Sequence, residues 1–190
     1  SGRPCAAHTN LKGDLMSSIP KSNRSKSKLE AIHKAYQIRS RITTELLLSF
    51  GYSQKKLEKD IHKATFYIKD PDEKEEAQKR LEEMNANFSY WLIQYEREDV
   101  LTACKGIVNH LAAANKIYPT YKIEFTERRL QMDKALECCE VLQQELQYLA
   151  EALPADKNKY MSIVIDVENE EKMIKKLRQS DNRFLKFLKE

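Results

Sequence analysis

Between Pro71 and Pro119 the chain runs without a proline and with a single glycine, Gly106, and no other feature restricts its fold so strongly. A stretch this long without turn residues reads as helix. Its apolar positions agree: Ala77, Leu81, Met84, Phe88, Leu92 and Tyr95, then Leu101, Cys104, Ile107, Leu111 and Ala114, recur at three- and four-residue steps. The phase slips around Glu96–Asp99, so a kink or two helices in series is expected there. The whole chain holds only four Gly and five Pro in 190 residues, which favours helices over a turn-rich β fold.

The remaining segments follow the same pattern. A first helix is expected from an N-cap at Ser25 or Ser27, with Glu30 as capping-box partner, to Gly51, on the stripe Leu29, Ile32, Tyr36, Ile42, Leu46 and Phe50. A weaker helix over 53–69 places Leu57, Ile61, Ala64 and Ile68 on one face. Asp70-Pro71 reads as an N-cap followed by Pro at the first helical position. Tyr118-Pro119-Thr120 is a stop. A helix over 121–152 carries Leu136, Cys139, Leu142, Leu146 and Leu149, and a last one over 157–178 carries Tyr160, Ile163, Val167, Ile174 and Leu177. No segment alternates at period two. The expected fold is all-α: an antiparallel four-helix bundle with an inserted helical hairpin at about 51–99. Residues 1–24 are expected to be a flexible N-terminal segment. Within it Ser1–Leu15 reads as non-native, since Met16 opens a coherent stretch.

Charge is laid out unevenly. Residues 70–99 carry ten acids against Lys74, Lys79, Arg80 and Arg97, whereas 172–189 carry seven bases against Asp181 alone. Lys172, Lys175, Lys176, Arg178 and Arg183 form one cationic cluster, and Lys21, Arg24, Lys26 and Lys28 form another, followed by Lys34, Arg39 and Arg41. Two such clusters point to a polyanion partner. Tyr90, Trp91, Tyr95, Tyr118 and Tyr121 could stack on bases, but Trp91 and Tyr95, four apart on a helix, fit core or a partner interface better, and Tyr118 is taken with them as a partner-interface candidate.

Signals for catalysis are missing. His8, His33, His62 and His110 are scattered, no CxxC or HxxxH occurs, and no P-loop or GxGxxG is present. Glu124, Glu127, Glu137 and Glu140 stand at helical spacing without the Glu-x-x-His of di-iron bundles, so a solvated face is expected. We expect neither enzyme activity, nor a cofactor, nor a metal. Cys5, Cys104, Cys138 and Cys139 read as reduced thiols of a cytoplasmic protein. No apolar run reaches membrane-spanning length, and no signal peptide is visible.

Three groups of residues carry a resemblance. The first is Ile19-Pro20-Lys21-Ser22-Asn23-Arg24 leading to Leu29-Glu30. The second runs from Ala113-Ala114-Asn115 through Tyr118-Pro119 to Glu127-Arg128-Arg129-Leu130-Gln131, then Ala135, Cys139, Leu142 and Gln144-Glu145-Leu146. The third is Asn158-Lys159-Tyr160 with Ile174-Lys175 and Arg178-Gln179-Ser180-Asp181-Asn182-Arg183. Over 19–50 and 100–184 the chain thus resembles the accessory variability determinant proteins of diversity-generating retroelements, a four-helix-bundle family. It departs in having Leu177 where a Trp is expected, and in the 51–99 segment, which short members lack. The resemblance implies a non-enzymatic partner of a reverse transcriptase in a bacterial or phage-infected cell. That partner would assemble as a ring-like homo-oligomer, a pentamer favoured, binding template RNA and cDNA in support of mutagenic retrohoming. It maps Lys21, Arg24, Arg128, Arg129, Lys175, Arg178 and Arg183 onto the basic surface. It leaves open whether Arg178 pairs with Asp181 within one chain or between subunits. A competing reading is a helical protein–protein adaptor whose acidic insertion docks a basic partner without direct nucleic-acid binding.

Overall fold

The computed structural model of the protein describes residues 28–190, with side chains from Glu30 onward. The expected cap at Ser25 or Ser27, the flexible segment, and Cys5, His8, Lys21, Arg24 and Lys26 lie outside the described residues. So does the side chain of Lys28. Five α-helices pack together: α1 (Lys28–Arg41), α2 (Gln54–Ala64), α3 (Pro71–Lys116), α4 (Lys122–Ala152) and α5 (Lys157–Ser180). Among the described residues there is no strand, only isolated bridges at Tyr52–Ala155 and Tyr121–Lys189. No helix among them is long and apolar enough to cross a membrane.

Local chemistry sets the helix ends. Asp70 accepts from the backbone N–H of Asp72 at 2.9 Å and of Glu73 at 3.2 Å, and Pro71 follows at N1. Asp156 caps α5 through the Asn158 N–H at 3.1 Å. Glu124 reaches back to the N–H groups of Thr120 (2.7 Å) and Tyr121 (3.0 Å), the return arm of a capping box. The last residues then fold back on this turn. After a 3₁₀ segment, Asp181–Lys186, the Lys189 N–H donates to Thr120 O at 2.9 Å and Lys189 O accepts from the Lys122 N–H at 3.0 Å.

Packing runs in a cycle: α1 against α3 and α5, α3 against α4, α4 against α5, with α2 resting on α3. The enclosed core includes Ile42, Leu46, Val100, Ile107, Leu111, Met132, Leu142, Leu146, Leu149, Val167 and Ile174. Burial raises the pKa of the Cys104 and Cys139 thiols and of half-buried Cys138, keeping all three protonated.

Two expectations are corrected. Two helices in series are not found at Glu96–Asp99: the region lies inside one helix of 46 residues. The apparent slip arose because Met84, Phe88 and Tyr95 face solvent, while Leu92, Glu96, Val100, Ala103 and Ile107 carry the buried face through the region in phase. In α1, Tyr36 is 52% exposed and the inward face is Ala31, Ala35 and Ile38, small enough to admit close neighbours. That helix also stops at Arg41. It widens into a π-turn, Ile42–Leu46, closed by the Leu47 N–H donating to Ile42 O at 2.9 Å.

The chain reverses at Phe50 (φ 44°) and Gly51 (φ 68°), both left-handed. The Tyr160 hydroxyl donates to Phe50 O, and the Asp156 N–H donates to Gly51 O at 2.9 Å. A Cβ on Gly51 would lie 3.3 Å from the Tyr160 ring. Gly51→Ala is therefore expected to cost about 1–2 kcal/mol from the left-handed backbone, read as a lower urea midpoint with helicity retained.

Glu96 is a buried carboxylate on α3. Desolvation first, then the hydrogen bond and charge of Glu145 and the charge of Asp99, raise its pKa to about 7. Its Oε2 has no partner among the described residues. The folded state thus takes up a proton between the ordinary carboxylate range and about pH 7, so this group makes stability fall as pH rises through that window. Glu96→Gln should flatten that decline and raise the melting temperature at pH 8, as followed by circular dichroism across pH.

Candidate nucleic-acid interface

The second half of α5 carries the basic cluster, and helix geometry divides it between two neighbours. On the α1 side, Lys172 and Lys176 join His33, Lys34 and Gln37 around a groove of about 470 Å³. Lys34 is spent on Asp166 at 2.6 Å, as is Arg41, also at 2.6 Å. Burial opposes ionisation of Asp166, but the hydrogen bonds from Lys34 and Arg41 outweigh it and the net pKa is lowered. Those two cations clamp α1 to α5. Lys172 lies 3.8 Å from Glu168, an exposed i,i+4 pair of little energetic weight. Lys176 is exposed.

On the α4 side, Gln143 bonds Glu171 (2.8 Å), Arg178 pairs with Asp133 (2.7 Å) and Arg129 donates to Asn182 Oδ1 (2.8 Å). These contacts run in antiparallel register and place Lys175, Arg178, Arg129 and Arg183 along one seam. Lys175 is paired with Glu171 at 3.1 Å. Arg129 faces a neutral amide and lies 5.3 Å from the centroid of the Phe125 ring. Arg183 lies 5.0 Å over Phe184, whose ring also meets Tyr118 edge-on at 5.5 Å. Cations at this end of the molecule are thus held by aromatic faces and a side-chain amide.

Arg128 is the correction. Its side chain and that of Asp181 are both 0% exposed, joined Nε to Oδ2 at 2.5 Å. Its Nη1 also donates to Ala114 O and to Ile117 O, the latter at 2.7 Å, which satisfies the end of α3. A guanidinium with every face occupied inside the protein does not meet a phosphate. The question of an Arg178–Asp181 pair is answered the same way: Asp181 belongs to Arg128, and Arg178 to Asp133.

The aromatic residues do not form one surface. Trp91 and Tyr95 stack at 5.5 Å with an interplanar angle of 16°, and Phe88 lies 6.1 Å from Trp91. All three face solvent on the outer half of α3. Tyr118 follows the other end of that helix, about 40 Å of rise from Trp91.

Lys186 and Phe187 join the basic end without having stood out in the sequence. Both are exposed in the returning tail, beside exposed Leu185. The interleaving of base and apolar residue through Arg183-Phe184-Leu185-Lys186-Phe187 was the available signal. Among the described residues no group of three or more His, Cys, Asp or Glu could hold a metal ion. Comparison with protein-family models, with curated proteins and with solved structures finds no match.

Proposed function

We propose that the protein is a non-enzymatic accessory protein that binds a reverse transcriptase together with its template RNA and cDNA, supporting mutagenic retrohoming in a diversity-generating retroelement. In this reading α1, α3, α4 and α5 form an antiparallel four-helix bundle. In it α2 and the outer half of α3 are the inserted hairpin, and copies assemble as a homo-oligomer in the cytoplasm, a pentamer favoured. The observation that carries the reading is the end of the α4–α5 seam. There Arg129 and Arg183, two positions the resemblance maps onto a basic surface, have no carboxylate partner among the described residues and stand on a frame fixed by the buried Arg128–Asp181 pair. Exposed Lys186 follows Arg183 in the returning tail, and Lys176 adds an exposed cation on the neighbouring α1 side of α5. The Arg178–Asp133 pair is half-exposed on both sides, so a phosphate can replace Asp133 at small cost, and Lys175 keeps an exposed ammonium above the mostly buried Glu171. Repetition of such a seam around an oligomer multiplies phosphate contacts and makes affinity steeply salt-dependent. Titration of a fluorescent RNA against the full chain at several salt concentrations tests this; binding indifferent to salt would contradict it.

A second reading is favoured by a different observation. The outer half of α3 presents stacked apolar rings within a segment rich in acid, which suits a protein partner and repels a nucleic acid. Under an adaptor role, charge reversal within 70–83 abolishes partner capture while substitutions at Arg129 and Arg183 leave it intact.

A further inference from the structure

Leu81, Met84, Phe88, Trp91 and Tyr95 follow the four-three alternation of a coiled-coil seam on the outer half of α3. The last four are 58%, 44%, 56% and 61% exposed. The buried face at Ser89, Leu92, Ile93 and Glu96 points elsewhere, so the described residues leave this stripe uncovered. Two exposed charges bracket it on its free flank, Arg80 towards the N-terminal end and Glu98 towards the C-terminal end.

We infer that the stripe is an isologous contact with a second copy of this chain, formed by antiparallel pairing of α3 with α3. A two-fold axis passing beside the helix, level with the Ser89–Tyr90 bond, sets Phe88 against the second copy's Trp91 and Met84 against its Tyr95. The same register brings Arg80 within one residue's rise of the second copy's Glu98. By symmetry each of these contacts occurs twice. Both charged residues lie at the same angular position on the helix, and in an antiparallel pair like flanks face each other, so the ion pairs form without disturbing the apolar layers. Parallel pairing would set unlike flanks together and hold Arg80 and Glu98 eighteen residues apart along the axis, so neither would find the other. Charge complementarity therefore selects a second copy in one orientation, and the stacked rings supply the apolar surface to be covered. The inference rests on the outer half of α3 alone and stands apart from the nucleic-acid reading.

The test is light scattering and sedimentation of the full chain. Phe88→Ser with Trp91→Ser should halve the mass, whatever other contacts hold copies together, and leave helicity unchanged. Arg80→Glu alone, or Glu98→Arg alone, should weaken self-association about tenfold, and the two together should restore it. Trp91 is the single Trp of the chain, so its emission should also shift to the red on dilution. An unchanged mass in the double serine variant overturns the inference, as does a charge-swapped variant no stronger than either single reversal. A chain that captures a different protein through the stripe while remaining unpaired with itself overturns it too.

Discussion

Replacing Arg128 with alanine is expected to lower the folding free energy by about 3–5 kcal/mol, the cost of leaving a buried charge without its partner. Asp181 would keep its carboxylate at 0% exposure with no cation beside it, and the Ala114 and Ile117 carbonyls at the end of α3 would lose their donor. Against a total stability of about 5–15 kcal/mol, that is enough to unfold a substantial fraction of the chain at body temperature. Asp181→Ala should cost a similar amount by orphaning the guanidinium. Replacing both residues with apolar side chains of similar volume should cost much less, because no charge then stays buried alone. Urea unfolding of the two single variants and the double variant, followed by circular dichroism, reads all three values. A surface role for Arg128 would give the opposite pattern, with RNA binding lost at full stability.

The second large effect concerns binding. Combined replacement of Arg129, Lys176 and Arg183 with alanine is expected to weaken RNA binding by about 10- to 100-fold at low salt. It should also flatten the dependence of log affinity on log salt by about 0.7 for each single-strand phosphate contact removed. Helicity and urea midpoint should stay close to those of the parent, since Lys176 and Arg183 are exposed and Arg129 makes one neutral hydrogen bond. Anisotropy titrations at several salt concentrations measure both quantities. Equal affinity and equal slope in the triple variant would remove these residues from the interface.

The boundaries of α3, α4 and α5 were legible because the chain marks them locally, whereas α1 and α2 end earlier than expected, at Arg41 and Ala64. Asp70-Pro71, Pro119 and Asp156 act locally, through backbone N–H groups two or three residues away or a ring that cannot continue a helix, and the folded chain uses them as read. The inward face of α1 was not legible. Ala31 and Ala35 carry little apolar signal, and what selects them is the closeness of α3 and α5 rather than their own hydrophobicity. Met84, Phe88, Trp91 and Tyr95 show the converse, since apolar periodicity marks a face to be covered without saying whether the body or another molecule covers it. Arg128 could not be told from its neighbour Arg129 by type or spacing. Its partner Asp181 is 53 positions away, and only the folded return of the chain past α5 makes it a buried pair. Glu96 escaped notice for the same reason, as Glu145 reaches it from another helix.

The proposed role has the protein serve a polymerase and its nucleic acid through the basic end of the α4–α5 seam. Co-purification of the full chain with a reverse transcriptase encoded beside it, at low and high salt and with and without nuclease, tests this most directly. The expected result is a complex that carries RNA at low salt, loses that RNA at high salt, and fails to hold it when Arg129, Lys176 and Arg183 are alanine. Absence of both polymerase and nucleic acid at low salt would contradict it.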